Sequence, residues 1–380
     1  MSSTKIPVAR PLLPTADQIV PYIERIDASR WYTNFGALCL ELEQRIARRF
    51  GLPAPSVVTL ANATVGLTVA LQTARAPAGT HCLVPSWTFP ASVHAIVAAG
   101  LTPYFVDVDE DGLLTPEIAR RTLAEFKLPI GAVMPVAVYG QPIDARAWDA
   151  FASDTGLPVV IDAAPGFDSL TPGRTISVVS LHATKILGVG EGAFAVSTDP
   201  DSIAEVMQRS AFGFKGTREA KLIATNAKIS EYTAAVGLAA FDQWKQCRAD
   251  FQRVADDYEA RLAPTPGVEL LAGFGRSWLA ATCIVRLADD AAPLVRALTD
   301  AGVETRAWLG EGMHLCEAFT TYPRAPLPMT QNLSKRTLGL PFFRDMGLDQ
   351  VAFVCEVVAQ ALTSSRGLSA PAGLPLARSA

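Results

Sequence analysis

Two residues of this chain have the type and setting for covalent chemistry on a carbonyl compound. Lys185 lies in Ser180-Leu181-His182-Ala183-Thr184-Lys185, after the apolar run Ile176-Ser177-Val178-Val179 and before a Gly-rich turn. A lysine at the mouth of a sheet, flanked by Ile186 and Leu187, is a candidate for a depressed pKa, and its free amine can then form a Schiff base. Asp162 follows Val159-Val160-Ile161, which places a carboxylate at the carboxyl end of another apolar strand. A lysine for the imine and an acid for the pyridinium nitrogen are the pair that a pyridoxal phosphate site requires. Taken singly, Asp162 reads as a turn residue or helix cap, and Lys185 as a solvated loop cation. Together, on a strand-helix alternation, they favour the cofactor site.

Such a site also needs a phosphate seat and a surface for the ring. Asn62-Ala63-Thr64 opens a helix after a strand, so free backbone N–H groups and the helix dipole face an anion, with the Thr64 hydroxyl as a further donor. The plainer reading makes Asn62 an N-cap. Pro85-Ser86-Trp87-Thr88-Phe89-Pro90 offers aromatic faces for a ring, against the plainer reading of core aromatics. Gly188-Val189-Gly190-Glu191-Gly192-Ala193 fits a G-x-G-x-x-A dinucleotide fingerprint. It follows no first strand and leads into strand-like Phe194-Ala195-Val196-Ser197, so it reads as a tight turn.

The elements that must hold these residues alternate regularly. Strands are expected at 56–60, 82–84, 103–106, 130–136, 158–161, 176–180 and 194–197, with helices at 64–74, 91–99, 116–126 and 145–155. That pattern implies an α/β fold with a mostly parallel sheet covered on both faces, whose ligands sit at the carboxyl ends of the strands. After Ser230 a single long helix is expected through Val236, Ala240 and Trp244 to Leu262. Strands at 268–271 and 282–287, a helix at 292–301 and a last helix at 349–362 complete a smaller α+β unit. The expected division is a large domain over 1–245, a small C-terminal domain over 246–363, and a disordered Ser/Gly/Ala/Pro-rich tail over 364–380.

Composition narrows the class. The chain has 380 residues with 33 Lys+Arg against 37 Asp+Glu, a net charge of −4, and is 49% hydrophobic. The acidic balance, without basic runs, argues against a nucleic-acid or anionic-membrane surface. Apolar stretches are too short for a membrane span and the first residues carry no apolar leader, which points to the cytoplasm. Six scattered cysteines without a C-x-x-C or Cys/His cluster imply neither disulfides nor a metal site.

Several linked motifs then occur in one order: Asn62-Ala63-Thr64, Pro85-Ser86-Trp87-Thr88-Phe89, Val138-Tyr139-Gly140-Gln141-Pro142, Asp162-Ala163-Ala164, Ser180 to Lys185, Gly190-Glu191-Gly192 and Asn226-Ala227-Lys228-Ile229-Ser230-Glu231. With them the chain resembles the DegT/DnrJ/EryC1/StrS family of pyridoxal-phosphate-dependent nucleotide-sugar aminotransferases, from Thr33-Asn34-Phe35-Gly36 to the last helix. The resemblance implies fold type I, with a seven-stranded type of large-domain sheet, and a homodimer with shared active sites. Its implied substrates are L-glutamate and a nucleotide-linked keto-sugar. By motif position Lys185 carries the Schiff base and moves protons, and Asp162 pairs with the pyridinium nitrogen. Phe89 stacks on the ring, and Ala63, Thr64 and Ser180 bind the phosphate with Asn226 of the neighbouring subunit. His182 takes either a supporting role at the cofactor or that of a satisfied buried histidine. Arg306, Trp308 and His314 lie in a region near the substrate without an assigned role.

The chain departs from the family's pattern in three places. Ala63 stands where a glycine is usual, with a Cβ that can crowd the phosphate or shift the turn. Pro165 stands where glutamine or histidine would contact the ring hydroxyl, a hydrogen bond worth ~1 kcal/mol. Ala193 replaces a glycine. Two other functions compete with transamination: a sugar dehydratase, in which histidine replaces the Schiff-base lysine that is present here, and a catalytically degenerate ligand-binding member.

Overall fold

A computed structural model describes residues 5–125 and 129–367. Helices α1 (Ala16–Ser29) and α2 (Ala37–Arg49) precede β1 (Val57–Leu60). The alternation follows with α3 (Ala63–Thr73), β2 (His81–Pro85), α4 (Pro90–Ala98), β3 (Thr102–Val106), α5 (Pro116–Glu125), β4 (Ile130–Val133), α6 (Ala145–Thr155), β5 (Val160–Asp162), β6 (Ile176–Ser180), β7 (Ala193–Val196) and α7 (Pro200–Ser210). The end of the expected helix 116–126, at Phe126, lies outside the described residues.

Strands β1-β7-β6-β5 form one ladder and β3-β2-β4 another. Parallel bridges Val133–Val159 and Val136–Asp162 set β4 beside β5, so the two read as one seven-strand surface. Only β7 among its described strands runs antiparallel to its neighbours. β1, β6 and β7 are buried at every position, which is why their sequences are continuous apolar runs and not alternating ones. This is the mostly parallel α/β sheet that the sequence implied.

The single long helix does not form. It is two helices, α8 (Glu231–Asp242) and α9 (Trp244–Leu262), broken at Gln243. Gln243 has φ −90° and ψ 0°, a bridge-region geometry that re-aims the chain without interrupting the apolar period across it. Beyond lie β8 (Val268–Leu270), β9 (Cys283–Leu287), α10 (Ala292–Asp300), α11 (Pro328–Arg336), β10 (Thr337–Leu340) and α12 (Leu348–Gly367). β10-β9-β8 form an antiparallel sheet. α11 and β10 had no forecast in the sequence. The start of α11 is held by Asp107 from the end of β3, whose carboxylate accepts from the amides of Met329 and Thr330 and from the Thr330 hydroxyl, all at 2.8 Å. A cap supplied from more than two hundred residues away leaves no local signature.

The first residues pack on this C-terminal part: Ile6 pairs with Val303, and Val8 accepts the Phe342 amide at 3.1 Å. α12 runs to Gly367, four residues into the expected tail, whose remainder lies outside the described residues. Among the described residues no helix is long and apolar enough to cross a membrane.

Candidate active site

β5 and β6 are parallel neighbours, and both deliver their functional residues at their carboxyl ends. Asp162 is the last residue of β5, 4% exposed. Its Oδ1 accepts the Ala164 amide at 3.0 Å and its Oδ2 accepts the Ser92 hydroxyl at 2.6 Å. Burial pushes its carboxyl above the ordinary carboxylate range, opposed by those two donors and by the ammonium of Lys185. Lys185 lies in the turn after β6, half-buried, its amide donating to the His182 carbonyl at 2.8 Å. Desolvation pushes its amine below the usual lysine value while Asp162 pulls it up. The acid is buried, the lysine half-buried, and each feels the other's charge, as a nucleophilic amine and an electrostatic partner would.

The Gly-rich segment is the tight turn expected of it. Gly190 sits at φ +101°, and the chain folds back so that Leu181 donates to Gly192 and Ala183 to Gly190, at 2.8 Å each. A Cβ at Gly188 would stand 2.7 Å from the Ala183 carbonyl oxygen. The turn therefore clamps the Lys185 loop from below, and it binds no helix to a strand as a dinucleotide fold would.

At the segment expected to seat a phosphate, Asn62 caps α3 by accepting the Val65 amide at 2.9 Å. The amides of Ala63 and Thr64 belong to the first turn, which has no intrahelical acceptors, and both residues are half-buried and within reach of a ligand. Asn62 is extended at φ −165° and Ala63 begins a right-handed helix, so the backbone here asks for no glycine and Ala63 shifts no turn. Ser180 ends β6, and its oxygen accepts the His182 amide at 3.2 Å, leaving the hydroxyl proton for another acceptor. Phe89, at the N-cap of α4, is 60% exposed, while Trp87 two residues earlier is 3% exposed and edge-on to Tyr139. The core-aromatic reading thus holds for Trp87, and Phe89 presents a free ring face.

His182 is not the satisfied buried histidine of one sequence reading. Its side chain is 44% exposed; Nδ1 accepts the Thr184 amide at 3.2 Å and lies 2.9 Å from the Thr184 hydroxyl, with Nε2 3.7 Å from Glu191. Asn226 is exposed, and its Oδ1 accepts from Lys228 at 2.6 Å. The next residue, Ala227, accepts the Ala61 amide at 2.7 Å, so this segment runs beside the loop that carries the phosphate seat of its own chain. His314 is brought to the end of β2, where its Nδ1 lies 2.7 Å from the Ser86 hydroxyl. Arg306 is exposed and stacks on Trp308, against Gly339 of β10. Sequence reasoning missed Ser92 and Thr88, whose hydroxyls lie 2.7 Å apart behind Asp162. Their spacing of four, one before the N-cap of α4 and one in its first turn, was visible, but their partner lies seventy residues away.

Comparison with known proteins gives the chain a family. Residues 15–359 match the DegT/DnrJ/EryC1/StrS aminotransferase family. Protein Rv3402c of Mycobacterium tuberculosis (strain H37Rv) is 31% identical, covering 94% of this chain and 90% of that protein. The dTDP-4-amino-4,6-dideoxy-D-glucose transaminase of Escherichia coli is 29% identical over 72% of this chain and 74% of its own. The crystal structure of DesI in the presence of its TDP-sugar product superposes with a TM-score of 0.85 at 30% identity, covering 97% of this chain and 95% of that one. The acid that ends β5 and the lysine in the turn after β6 therefore sit in an aminotransferase scaffold, and the chain belongs to the DegT/DnrJ/EryC1/StrS aminotransferase family.

Proposed function

We propose that the chain is a pyridoxal-phosphate-dependent transaminase that carries the amino group of L-glutamate to a keto-deoxysugar linked to a nucleoside diphosphate. The observation that carries this reading is the buried Asp162 at the carboxyl end of β5 and Lys185 in the turn after the adjacent parallel strand β6, each shifted by the other's charge. The nucleotide-sugar part is supported by the Escherichia coli relative, a dTDP-4-amino-4,6-dideoxy-D-glucose transaminase, and by DesI, whose structure was determined in the presence of its TDP-sugar product.

The residues present fit the cofactor. Asp162 is contacted by donors only, so its carboxylate keeps lone pairs for a protonated ring nitrogen. The first-turn amides of Ala63 and Thr64 and the spare proton of Ser180 suit a phosphate dianion. The open face of Phe89 suits an aromatic ring. When bound, pyridoxal phosphate supplies an electron sink for the carbon that loses its proton. Lys185, with its amine held low by burial, accepts that proton from the amino-acid carbon and returns it on the far side of the transfer. His182 stiffens the loop that carries Lys185 through its bonds to Thr184. Pro165 donates no bond to the ring, and Asp162 and Phe89 orient it instead.

The same reading makes the protein a cytoplasmic homodimer with shared sites. Its six unpaired thiols suit a reducing compartment. Exposed aromatics near the Asn226 segment, Phe212 and Phe214, together with Tyr32 stacked on Tyr232, suit an interface through which Asn226 reaches the partner's phosphate seat.

Purified protein supplied with pyridoxal phosphate is expected to show a visible absorption band that L-glutamate bleaches, releasing one 2-oxoglutarate per site. A panel of nucleotide-linked keto-sugars then restores the band. Lys185→Ala is expected to cut turnover more than about a hundredfold. Turnover near wild type in that variant, or a band that glutamate leaves unchanged, overturns the reading.

A further inference from the structure

Behind the acid of the site, a line of hydroxyls runs into the protein. Thr88 and Ser92 are both 0% exposed, and Asp162 is 4% exposed. Thr88 Oγ1 lies 2.7 Å from Ser92 Oγ, which lies 2.6 Å from Asp162 Oδ2. The direction of both bonds follows from proton counting. A carboxylate only accepts, so the single proton of Ser92 goes to Asp162, and the Thr88 proton must go to Ser92. Each bond then polarises the next, and a hydroxyl donating to a charged acceptor makes the stronger, shorter kind of hydrogen bond.

We propose that Thr88 and Ser92 are positioning residues that keep Asp162 ionised and turn its free lone pairs toward the cofactor ring nitrogen. The proposal deepens the transaminase reading above and rests on it. Burial alone would protonate Asp162, and a neutral acid cannot hold a pyridinium proton. The positive charge that Asp162 feels is the Lys185 ammonium, and that charge would not be constant, because the same amine would take part in the chemistry. The hydroxyl relay is the charge-favouring element that stays in place throughout the cycle, together with the Ala164 amide. Its placement is economical: Thr88, the N-cap Phe89 and Ser92 in the first turn of α4 lie within five residues, so one segment aims a ring face outward and the relay inward.

The test is the dissociation constant of pyridoxal phosphate between pH 5 and 9, with melting of the cofactor-free protein, for wild type, Ser92→Ala, Ser92→Thr and Thr88→Val. Ser92→Ala is expected to weaken the cofactor about tenfold or more and to move the acid limb of the binding curve up by about one pH unit. Thr88→Val moves it the same way by less, and Ser92→Thr restores the wild-type curve. A purely structural role predicts a lower melting temperature with an unmoved acid limb. That result, or wild-type affinity in Ser92→Ala, overturns the proposal. Wild-type protein that takes up no pyridoxal phosphate at any pH overturns the transaminase reading, and this inference with it.

Discussion

The chemistry of single residues here is set by who shares their burial. Asp162 would be an unremarkable strand-end acid in water; inside, its charge costs free energy that Ser92, Ala164 and Lys185 must offset. Asp162→Asn keeps the shape and removes the cost. We expect the cofactor-free variant to melt at or above the wild-type temperature. Its turnover should fall about a hundredfold or more, the loss typical of one preorganised electrostatic partner. A calorimetric scan and a steady-state assay check both halves, and wild-type turnover would contradict the role of the acid. Phe89 and Trp87 show the other side of the rule. They are two residues apart and equally aromatic, yet one is open to a ligand and the other belongs to the core.

Elements are held to one another by buried carboxylates that the sequence left unmarked. Glu231, at the start of α8, accepts the amides of Leu38 at 2.7 Å and Cys39 at 3.1 Å, capping α2 from outside. Glu43 of α2 accepts the Thr59 amide and hydroxyl at 2.8 Å, pinning the helix to β1. Burial pushes the Glu43 carboxyl up to about 7, Thr59 pulls it down, and the charge of Glu231 adds to the rise. A folded-state pKa above the unfolded one means that the native state holds the proton more tightly. The stability this contributes is full below the unfolded value near 4.5 and is lost as pH rises through about 7. Glu43→Gln should therefore flatten the fall in stability between pH 5 and 8, by up to about 3 kcal/mol relative to wild type. Urea titrations at several pH values check this, and parallel curves for the two proteins would refute it.

At the scale of the whole molecule, one carboxylate gathers the parts. Asp168, in the loop beyond β5 that also carries Ala163 and Ala164, accepts Arg49 of α2 at 3.1 Å and Arg248 of α9 at 2.9 Å. Its other oxygen accepts the Leu279 amide of the C-terminal part at 3.2 Å. Arg49 is sandwiched over Phe167 and Trp244 at 4.9 Å each. Asp168 is 4% exposed while its arginines are 23% and 36% exposed, so removing it strands two cations that water partly reaches. Asp168→Ala is expected to cost about 3 kcal/mol, the low end for breaking a buried pair. Chemical denaturation measures it, and a change below about 1 kcal/mol would show that the packing around Arg49 holds these parts together without the ion pairs.

Much of this protein is legible in its sequence because the information is local. Continuous apolar runs mark buried strands, Asn62 marks the start of α3, and Asp162 and Lys185 stand out as an acid that ends one apolar strand and a cation that follows the next. The break at Gln243 was hidden because one residue in the bridge region leaves the apolar period on either side nearly unchanged. Helix α11 was hidden because its cap comes from Asp107, and the Thr88–Ser92 relay because its acceptor is seventy residues downstream. Burial and pairing across long separations are properties of the folded chain alone. The sequence determined which residue types could act, and the tertiary structure decided which were dried, charged and aimed.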